Sequence, residues 1–373
     1  MARGGPLAGL RVLEIAGIGP GPFCGMLLAD LGADVVVAER IAPGDERLDL
    51  GPASIVNRGK RSISVDLHSA QGVALVLDLV EHCDALIEGM RPGTMERLGL
   101  GPQVCLERNP RLVYGRVTGW GQQGPLAHAA GHDLNYVALS GALWYAGQPD
   151  AAPIAPPTLV GDIGGGALYL AVGLLAAVMN VRAGGRGQVV DAAIVDGSAH
   201  MMNLLLGFRA TGQLVSERGA SLLDGPHWYN TYRCADGRLI SVGPLEAKFY
   251  RLLLDKLGLA QDPAFATQYD KDAWPELRAR FAALFAKRTC EEWCALLEGT
   301  DACFAPVLNP EEAAKHPHMA ARGVYSSQDG LLQAGPAPRF SGTPADVPGA
   351  IPSRGADTEA VLRDWIDHDP GTR

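Results

Sequence analysis

The hexapeptide GHDLNY, residues 131–136, places an ionisable histidine beside an aspartate, between a glycine and an aromatic residue. Histidine is the side chain that ordinarily titrates near neutrality, so His132 is a candidate to remove a proton and return it. The ordinary alternative is a loop histidine that hydrogen-bonds to the backbone. The choice between the two depends on what the rest of the chain places beside it.

A second candidate is Asp162 in GDIGGG, residues 161–166, directly before the apolar run that starts near Ala167. The run predicts a helix, whose first turn presents unpaired N–H groups and the positive end of the helix dipole. Glycines at 164–166 let a ligand approach this backbone closely, so these N–H groups are candidates to hold an oxyanion. Asp162 could equally be a plain helix cap, a role in which aspartate is common.

Six basic residues lie at or just beyond predicted strand ends. In a parallel sheet the ligand crevice lies outside the carboxyl ends of the strands. Arginine binds phosphate through two parallel hydrogen bonds, so the cluster predicts a site for a nucleotide diphosphate. The alternative for each residue is an ordinary solvated charge. The six are Arg40, Arg58, Lys60, Arg61, Arg91 and Arg97.

The segment GIGPGP, residues 17–22, follows the first predicted strand and is similar to a nicotinamide-dinucleotide fingerprint. That fingerprint requires glycine at its first, third and sixth positions. Gly17 and Gly19 satisfy the first two, but Pro22 stands at the sixth. Pro20 and Pro22 also lack the N–H groups that would bind a pyrophosphate. The segment therefore favours the fold but not a dinucleotide cofactor.

Strand-like and helix-like apolar runs alternate through the first 120 residues. LRVLEIAG, ADVVVAER, RSISVDL, DALIEGM and LVYGRVTG predict strands, while GPFCGMLLADLG and AQGVALVLDLVEHC predict helices. Strands separated by helices of this length predict an α/β fold with a doubly wound, Rossmann-like parallel sheet.

The length of 373 residues predicts two domains. We expect a large Rossmann-like domain over residues 1–187, completed by residues 328–373. A helical linker is expected over 188–225, a smaller α+β domain over 226–312 and a return linker over 313–327. In the smaller domain, ADG within NTYRCADGRLISVG marks a hairpin turn.

Composition argues against several classes of protein. The formal net charge of −9 disfavours nucleic acid as a partner. Seven cysteines, without a C-x-x-C pair, fit a reducing compartment better than disulfides, and no metal site is expected. No apolar signal core precedes Glu14, and the longest apolar run, 167–181, falls short of the roughly 18–20 residues that span a bilayer. We expect a cytoplasmic protein without a membrane partner.

Ten segments between about residues 7 and 310 resemble, in order, the class III coenzyme A transferases, and within them the α-methylacyl-CoA racemases. The resemblance implies an acyl-CoA substrate and no cofactor besides the coenzyme A of that substrate. It also implies an intertwined homodimer, with each active site between one subunit's large domain and the partner's small domain. The segments are GIGPGPFCGMLLADLGADVV, NRGKRSISVDL, EGMRPGTMERLGLGP, YGRVTGWGQQGP, AGHDLNY, GDIGGG, GRGQVVDAAIVDG, TYRCADG, GPLEAKFY and DACFAPVL.

The resemblance assigns proton transfer to His132 and Asp162, and pairs His132 with Glu246 across the dimer interface. Such a carboxylate orients an imidazole and raises its basicity. Glu246 could also be an ordinary helix N-terminal residue. The implied acyl pocket contains Tyr229, Tyr232 and Leu245, although core packing would explain the tyrosines equally well. The implied coenzyme A contacts are Arg40; Val65, Asp66, Leu67 and His68; Gly89, Met90, Arg91, Pro92 and Gly93; Arg97; and Gly131, His132, Asp133, Leu134, Asn135 and Tyr136.

A 2-methylacyl thioester has an acidic α-hydrogen because its carbonyl delocalises the carbanion as an enolate. Inversion removes a proton from one face and delivers one to the other, so two acid/base groups must flank the carbon. The transferases resemble this chain at Asp162, where the carboxylate attacks the thioester, but generally lack a histidine at the position of His132. His132 therefore favours a racemase. A class III CoA transferase with Asp162 as nucleophile and a non-catalytic CoA-ester-binding protein are the alternatives.

Two departures from the family pattern lie near the expected acyl end. The family usually has Asn four residues before the catalytic aspartate, where this chain has Thr158. The family's DGGAPYY segment is one residue shorter here, DGPHWY, and contains His227 and Trp228. We expect these departures to affect substrate size and rate rather than the type of reaction.

Overall fold

The computed structural model describes residues 4–41 and 50–367. The chain forms two compact units. The first comprises the described parts of Met1–Ala142, Ala155–Met201 and Tyr325–Arg373. The second comprises Leu143–Ile154 and Met202–Val324.

A six-stranded parallel sheet forms the centre of the first unit. The strand order is β3-β2-β1-β4-β5-β6. Chain order and spatial order reverse at β1, as in a doubly wound sheet. The strands are β1 (Arg11–Ile15), β2 (Asp34–Glu39), β3 (Arg61–Ser64), β4 (Ala85–Glu88), β5 (Val113–Thr118) and β6 (Gln188–Ala193).

Helices cover both faces of this sheet, which confirms the predicted α/β fold. One apolar core lies under α1 and α6, and a second lies under α2 and α14. The central strands are buried on both faces, which explains their continuous apolar runs. The helices of the first unit are α1 (Pro20–Asp30), α2 (Ala70–Glu81), α3 (Thr94–Arg97), α4 (Pro102–Arg108), α5 (Asp133–Ser140), α6 (Leu168–Arg182), α7 (Ile194–Met201) and α14 (Thr358–Trp365), with a π-helix over Leu159–Ala167.

The predicted helical linker is wrong for its first six residues. Gln188–Ala193 form β6, which pairs in parallel with β5 from Val113 to Thr118. The two adjacent valines at 189 and 190 favour a strand. Main-chain pairing at the sheet edge outweighs the helix-forming tendency of the alanines that follow. Helical structure begins only at Ile194.

The helical segment 159–182 is the one part of the described chain that is long and apolar enough to cross a membrane, by length and composition alone. Residues Leu170, Leu174 and Val178 of α6 pack into the core of the first unit. Val172 and Met179 lie on the opposite face and are 68% and 71% exposed. The predicted helix is therefore buried along one face only. It is longer than predicted because the GDIGGG segment is itself helical.

The second unit pairs a small antiparallel sheet with helices, as its α+β prediction requires. The predicted hairpin is confirmed by β7 (Asn230–Arg233) and β8 (Leu239–Val242), and β9 (Phe304–Val307) adds to it. Buried aromatic residues, among them Phe281 and Trp293, fill the core beneath the sheet. The helices are α8 (Asn203–Gly207), α9 (Ala247–Lys256), α10 (Trp274–Phe285), α11 (Cys290–Leu297), α12 (Pro310–Lys315) and α13 (Pro317–Ala321).

The C-terminal segment returns to the first unit. The predicted return linker, 313–327, contains the end of α12, all of α13 and most of β10 (Tyr325–Gln328). β10 pairs with β11 (Leu331–Ala334) in a hairpin. Beyond it, Asp357 exchanges main-chain and side-chain hydrogen bonds with Ser62 of β3. Trp365 of α14 is buried in the second core of the unit.

Candidate active site

His132 is an exposed residue directly before α5. The main-chain N–H of His132 donates to Asn135 Oδ1 at 3.0 Å. His132 and Asn135 form a capping box at the start of α5. His132 is therefore the N-cap residue of a helix and not an ordinary loop residue. Its imidazole is presented to the surroundings by the start of a helix.

Asp133 connects GHDLNY to GDIGGG. Its side chain is buried, and Oδ1 accepts hydrogen bonds from the N–H groups of Gly161 and Asp162, both at 2.9 Å. A carboxylate on the N–H groups of a helix end is a favourable cap. The cap that the sequence suggested for Asp162 is thus supplied by Asp133. The Oδ1 atom of Asp133 is therefore engaged inside the unit, and the predicted contact of Asp133 with coenzyme A stays a prediction.

Asp162 lies inside the π-helix and not in front of a helix. In a π-helix each N–H bonds to the carbonyl five residues earlier, as Ile163 does to Thr158 at 3.0 Å. The predicted oxyanion role of N–H groups at a helix start near Ala167 is therefore wrong, because the helix already begins at Leu159 and those amides lie within it. The glycines have a packing role instead. A Cβ on Gly165 would lie 2.5 Å from Ser198 Oγ of α7.

The carboxylate of Asp162 is half-buried beside the GIGPGP turn. A Cβ on Gly19, whose φ is +70°, would lie 3.3 Å from Asp162 Oδ2. Burial, and then the negative charge of Asp133, raise the pKa of Asp162 to about 6, while His132 lowers it. The structure therefore brings His132 and Asp162 close enough to interact electrostatically. A carboxyl group with this pKa is available in both protonation states near neutrality.

Tyr136 and Trp120 pack beneath this site. Tyr136 is buried, its hydroxyl donates to the carbonyl of Gly131, and its ring meets Trp120 edge-on at 4.7 Å. Burial, followed by the negative charge of Asp162, raises the pKa of Tyr136. A Cβ on Gly119 would lie 1.9 Å from the Tyr136 ring, so that position requires glycine. Trp120 was missed by sequence reasoning, although the quoted YGRVTGWGQQGP segment contains it.

The predicted coenzyme A segments follow the carboxyl ends of consecutive strands. Arg40 follows β2, residues 65–68 follow β3, and residues 89–93 follow β4. Residues 131–136 lie in the connection after β5. The parallel sheet therefore brings them to one edge, where ligands bind in folds of this kind. Their contacts with coenzyme A remain predictions.

A buried ionic network holds the segment after β4. Glu88 Oε2 accepts the N–H of Met90 at 2.6 Å, and Arg116 Nε donates to Glu88 Oε1 at 2.7 Å. Arg116 Nη1 also donates to Glu96 Oε1 at 2.8 Å. Burial raises the pKa of Glu88, and the bonds from Met90 and Arg116 oppose that shift. Sequence reasoning missed this network, which holds the backbone of this segment at Met90.

Three of the six predicted phosphate-binding cations are wrong. Arg58, Lys60 and Arg61 stand at the amino end of β3, opposite the crevice. The Arg58 guanidinium bonds to Asp30, the Lys60 amine lies 2.7 Å from Glu14, and Arg61 bonds to Asp34. These cations are neutralised inside the protein. Arg40, Arg91 and Arg97 are exposed and lie at the carboxyl edge.

Glu246, Tyr229 and Leu245 belong to the second unit. Glu246 directly precedes α9 and is exposed. Tyr229 lines a cavity of about 590 Å³ together with Cys303, while Leu245 lies outside that lining and is 38% exposed. The negative charge of Glu246 contributes, after burial, to a raised pKa of Cys303. The pairing of Glu246 with His132 remains a prediction.

Tyr232 does not line the cavity, and its predicted place in an acyl pocket is wrong. Its ring is buried and stacks on Phe285 at 5.1 Å. Its hydroxyl donates to the carbonyl of His227 at 2.5 Å. The alternating strand pattern points the side chain of Tyr232 into the core while its neighbours point outward.

His227 and Trp228 are core residues of the second unit, so the expectation that they lie at the acyl end is wrong. Both side chains are fully buried. His227 Nε2 bonds to the hydroxyl of Tyr250 at 2.7 Å, and burial lowers the pKa of His227 to about 3. Trp228 Nε1 donates to the carbonyl of Gln268 at 2.9 Å. The two residues that distinguish the DGPHWY segment, His227 and Trp228, therefore affect the packing of the core next to Tyr229.

Thr158 begins the π-helix in a left-handed conformation, with φ of 61°. This backbone is a strained one for a β-branched residue, whereas asparagine tolerates it. Strain of this kind typically costs about 1–3 kcal/mol and is common at functional sites.

We expect Thr158→Asn to raise the free energy of unfolding by about 1 kcal/mol, because it relieves that strain. Urea titration of the two proteins measures the difference. Thr158→Ser, which lacks the branch but keeps the hydroxyl, is the matched control. A Thr158→Asn protein that is less stable than the wild type would contradict the strain at this position.

Within the part of the chain that the structure describes, no three His, Cys, Asp or Glu side chains are grouped to hold a metal ion. The site built around GHDLNY and GDIGGG is a candidate acid/base site. It places an imidazole and a half-buried carboxyl group in one unit, beside the carboxyl edge of a parallel sheet.

The fold and this site define a class of protein that comparison with known families identifies. The model of CoA-transferase family III matches residues 7–358. The chain belongs to that family, which confirms the resemblance seen in its motifs. A crystal structure of a CAIB/BAIF family protein from Brucella suis superposes with a TM-score of 0.83, at 27% identity, over 97% of this chain and 100% of that one.

Characterised relatives are similar over nearly the whole chain. The α-methylacyl-CoA racemases of Mus musculus and Homo sapiens are each 42% identical over 363 residues. The alignment covers 96% of this chain and 93% of each racemase.

Proposed function

We propose that the protein is a racemase that interconverts (R)- and (S)-2-methylacyl-CoA thioesters. One observation carries this proposal: the buried Asp133, the chain neighbour of His132, accepts a hydrogen bond from the main-chain N–H of Asp162. Asp133 caps the helix that carries Asp162, and its charge helps to raise the pKa of Asp162 to about 6. The similarity to two α-methylacyl-CoA racemases supports the same reaction.

In the proposed reaction His132 and Asp162 act from opposite faces of the α-carbon. One group takes the α-proton, and the electrons of the broken C–H bond move into the thioester as an enolate. The other group, already protonated, then delivers its proton to the opposite face. In the reverse direction the roles exchange. The raised pKa of Asp162 suits this work, because each direction of the reaction requires it in a different protonation state.

No cofactor takes part in this proposal, because the thioester carbonyl itself delocalises the negative charge. The exposed Arg40, Arg91 and Arg97 would bind the phosphates of coenzyme A at the carboxyl edge of the sheet. The network of Glu88, Arg116 and Glu96 would hold the loop that carries Arg91.

We also propose a homodimer, as the resemblance implies. The exposed face of α6, with Val172 and Met179, is an apolar surface that a second copy of the chain would cover. The partner would bring its Glu246 to the imidazole of His132. All seven cysteines are free thiols, which supports a cytoplasmic location, and no membrane or nucleic-acid partner is proposed.

Incubation with (S)-2-methylacyl-CoA in D2O tests the proposal. A racemase incorporates deuterium at the α-carbon while optical purity is lost. A CoA transferase with Asp162 as nucleophile would instead move coenzyme A to an added carboxylate, and hydroxylamine would trap its acyl-enzyme. A binding protein would do neither. Either of the last two results would overturn the racemase.

Asp133→Asn should move one limb of the pH–rate profile. The variant keeps an Oδ1 acceptor for the capped helix but removes the negative charge that helps raise the pKa of Asp162. The pKa of Asp162 then falls. In the direction where Asp162 acts as the base, the acidic limb of kcat/KM, expected near pH 6, moves to lower pH.

Comparison of pH profiles for the two substrate enantiomers measures this shift. Asp150→Asn, at an exposed aspartate of the second unit, is the control and should leave the limb in place. An unchanged limb in Asp133→Asn would contradict the electrostatic role of Asp133.

A further inference from the structure

Gln268 makes two side-chain hydrogen bonds to consecutive carbonyl groups of the second unit. Its side chain is buried, with the residue 7% exposed. Nε2 donates to the carbonyl of Pro244 at 2.9 Å and to that of Leu245 at 3.0 Å. A primary amide has two N–H groups, so one side chain satisfies both acceptors. The backbone just before Glu246 is therefore held by a single amide.

The orientation of this amide is determined by its partners. Two carbonyl oxygens can only accept, so the NH2 group and not Oε1 must face them. Oε1 is buried and has no hydrogen-bond partner within the described chain. A buried acceptor without a partner costs free energy, and the two hydrogen bonds from Nε2 to the carbonyl groups offset that cost.

The main chain of Gln268 is held by two hydrogen bonds. Its main-chain carbonyl accepts the indole N–H of Trp228 at 2.9 Å and that of Trp274 at 3.1 Å. Both indoles are buried in the aromatic part of the second unit. The main chain that carries the amide is therefore held by two buried indoles.

The same turn is held from two further sides. The hydroxyl of Tyr269 donates to the carbonyl of Leu245 at 2.5 Å. The N–H of Gly243 donates to the carbonyl of Cys303 at 2.9 Å, and Cys303 has a left-handed φ of 52°. Glu246 follows at the end of this turn and starts α9 with extended backbone angles. The direction of its side chain thus depends on the turn before it.

We infer that Gln268 is a positioning residue for Glu246 in the proposed racemase. The inference rests on the proposed function, because it gives Gln268 its effect through the carboxylate that is to pair with His132. By fixing the peptide planes on either side of Leu245, the amide fixes where the carboxylate of Glu246 points. A carboxylate placed in this way orients the imidazole and raises its basicity. Gln268 does not touch the substrate.

The test combines Gln268→Met with Glu246→Gln in a double-mutant cycle. Methionine has nearly the length of glutamine but no N–H groups. We expect Gln268→Met to lower kcat about tenfold, within the range for an outer partner of a functional side chain, and to change KM less than twofold. In the direction where His132 is the base, the acidic limb of kcat/KM should move to lower pH, as it does in Glu246→Gln. Because both changes act through one carboxylate, the double variant should be no slower than Glu246→Gln.

Trp293→Phe is the matched control for a lost buried hydrogen bond. Its indole donates to the carbonyl of Phe285 at 2.9 Å, in the same core but away from residues 243–246. This variant should lose stability without moving the limb. Should Gln268→Met fail to fold, Gln268→Asn, one methylene shorter, replaces it with the same expected limb shift.

Two results would overturn the inference. One is a Gln268 variant whose loss of kcat multiplies with that of Glu246→Gln, and the other is a loss of kcat with the limb unmoved. Wild-type protein that incorporates no deuterium in D2O would be a failure of the racemase proposal itself. The two failures are therefore distinguishable, because the inference is tested only against an active wild type.

Discussion

Replacing His132 or Asp162 with asparagine lowers kcat for racemisation about a thousandfold, within the usual range for one acid/base group. Each direction of the reaction uses one group to remove the proton and the other to deliver it. Loss of either group therefore stops both directions, and the two variants should be impaired to a similar degree. Polarimetry or chiral separation of the acyl-CoA product measures the rate.

His128→Asn is the matched control for this result. His128 is exposed and lies four residues before His132, outside the candidate site. It should keep wild-type kcat, and all three variants should keep the wild-type unfolding temperature. A His132→Asn or Asp162→Asn protein with more than about a tenth of wild-type activity would remove that residue from the proton-transfer chemistry.

Lys60→Met lowers the free energy of unfolding by about 3–5 kcal/mol, the usual cost of removing one partner of a buried ion pair. The Lys60 amine lies 2.7 Å from Glu14 and also donates to the carbonyl of Pro22 at 3.0 Å. Both charged side chains are almost completely buried. Without the amine, Glu14 must lose its charge or stay buried and unpaired. Urea unfolding at neutral pH measures the loss.

The double variant Glu14→Leu with Lys60→Met should regain most of that stability, because an apolar pair needs no desolvation of charge. Burial raises the pKa of Glu14, and Lys60 opposes this shift. A carboxyl group with a raised folded pKa gains stability as pH falls, so the deficit of Lys60→Met should shrink in acid. A Lys60→Met protein that is as stable as wild type at neutral pH would contradict the buried ion pair.

Gly25 shows how closely this ion pair is packed. A Cβ at that position would lie 1.9 Å from Glu14 Oε2 and 3.1 Å from Lys60 Cε. The pair therefore lies directly under α1, which begins with the proline of the GIGPGP turn beside Asp162. The sequence offered Lys60 as a phosphate ligand because a basic residue near a strand end has the same appearance whichever end it occupies.

Local patterns were enough to predict the strands β1 to β5 and the helices α1 and α2. Each contains apolar residues that are buried in the sheet or against it. β6 was not predictable in this way. Gln188 and Val189 are exposed, so the strand has no apolar periodicity and is defined by its main-chain pairing with β5.

The candidate site was predictable to the extent that its chemistry lies in short motifs. GHDLNY and GDIGGG identified His132 and Asp162, but the hydrogen bonds from Gly161 and Asp162 to Asp133 join residues 28 and 29 positions apart. No local pattern indicates such a pairing. The same holds for Arg116 and Glu88, and for Gln268, whose partners lie 23 and 24 residues away. These residues shape the site through contacts that depend on the fold.

Solvent exchange with single enantiomers is the most direct test of two groups acting on opposite faces. Each pure 2-methylacyl-CoA enantiomer is incubated in D2O with His132→Asn and with Asp162→Asn, and α-deuterium is measured by mass spectrometry. We expect each variant to exchange the proton of one enantiomer only, without racemisation, and the favoured enantiomer to be opposite in the two variants. Exchange of the same enantiomer by both variants, or of both enantiomers by either one, would contradict the two-sided site.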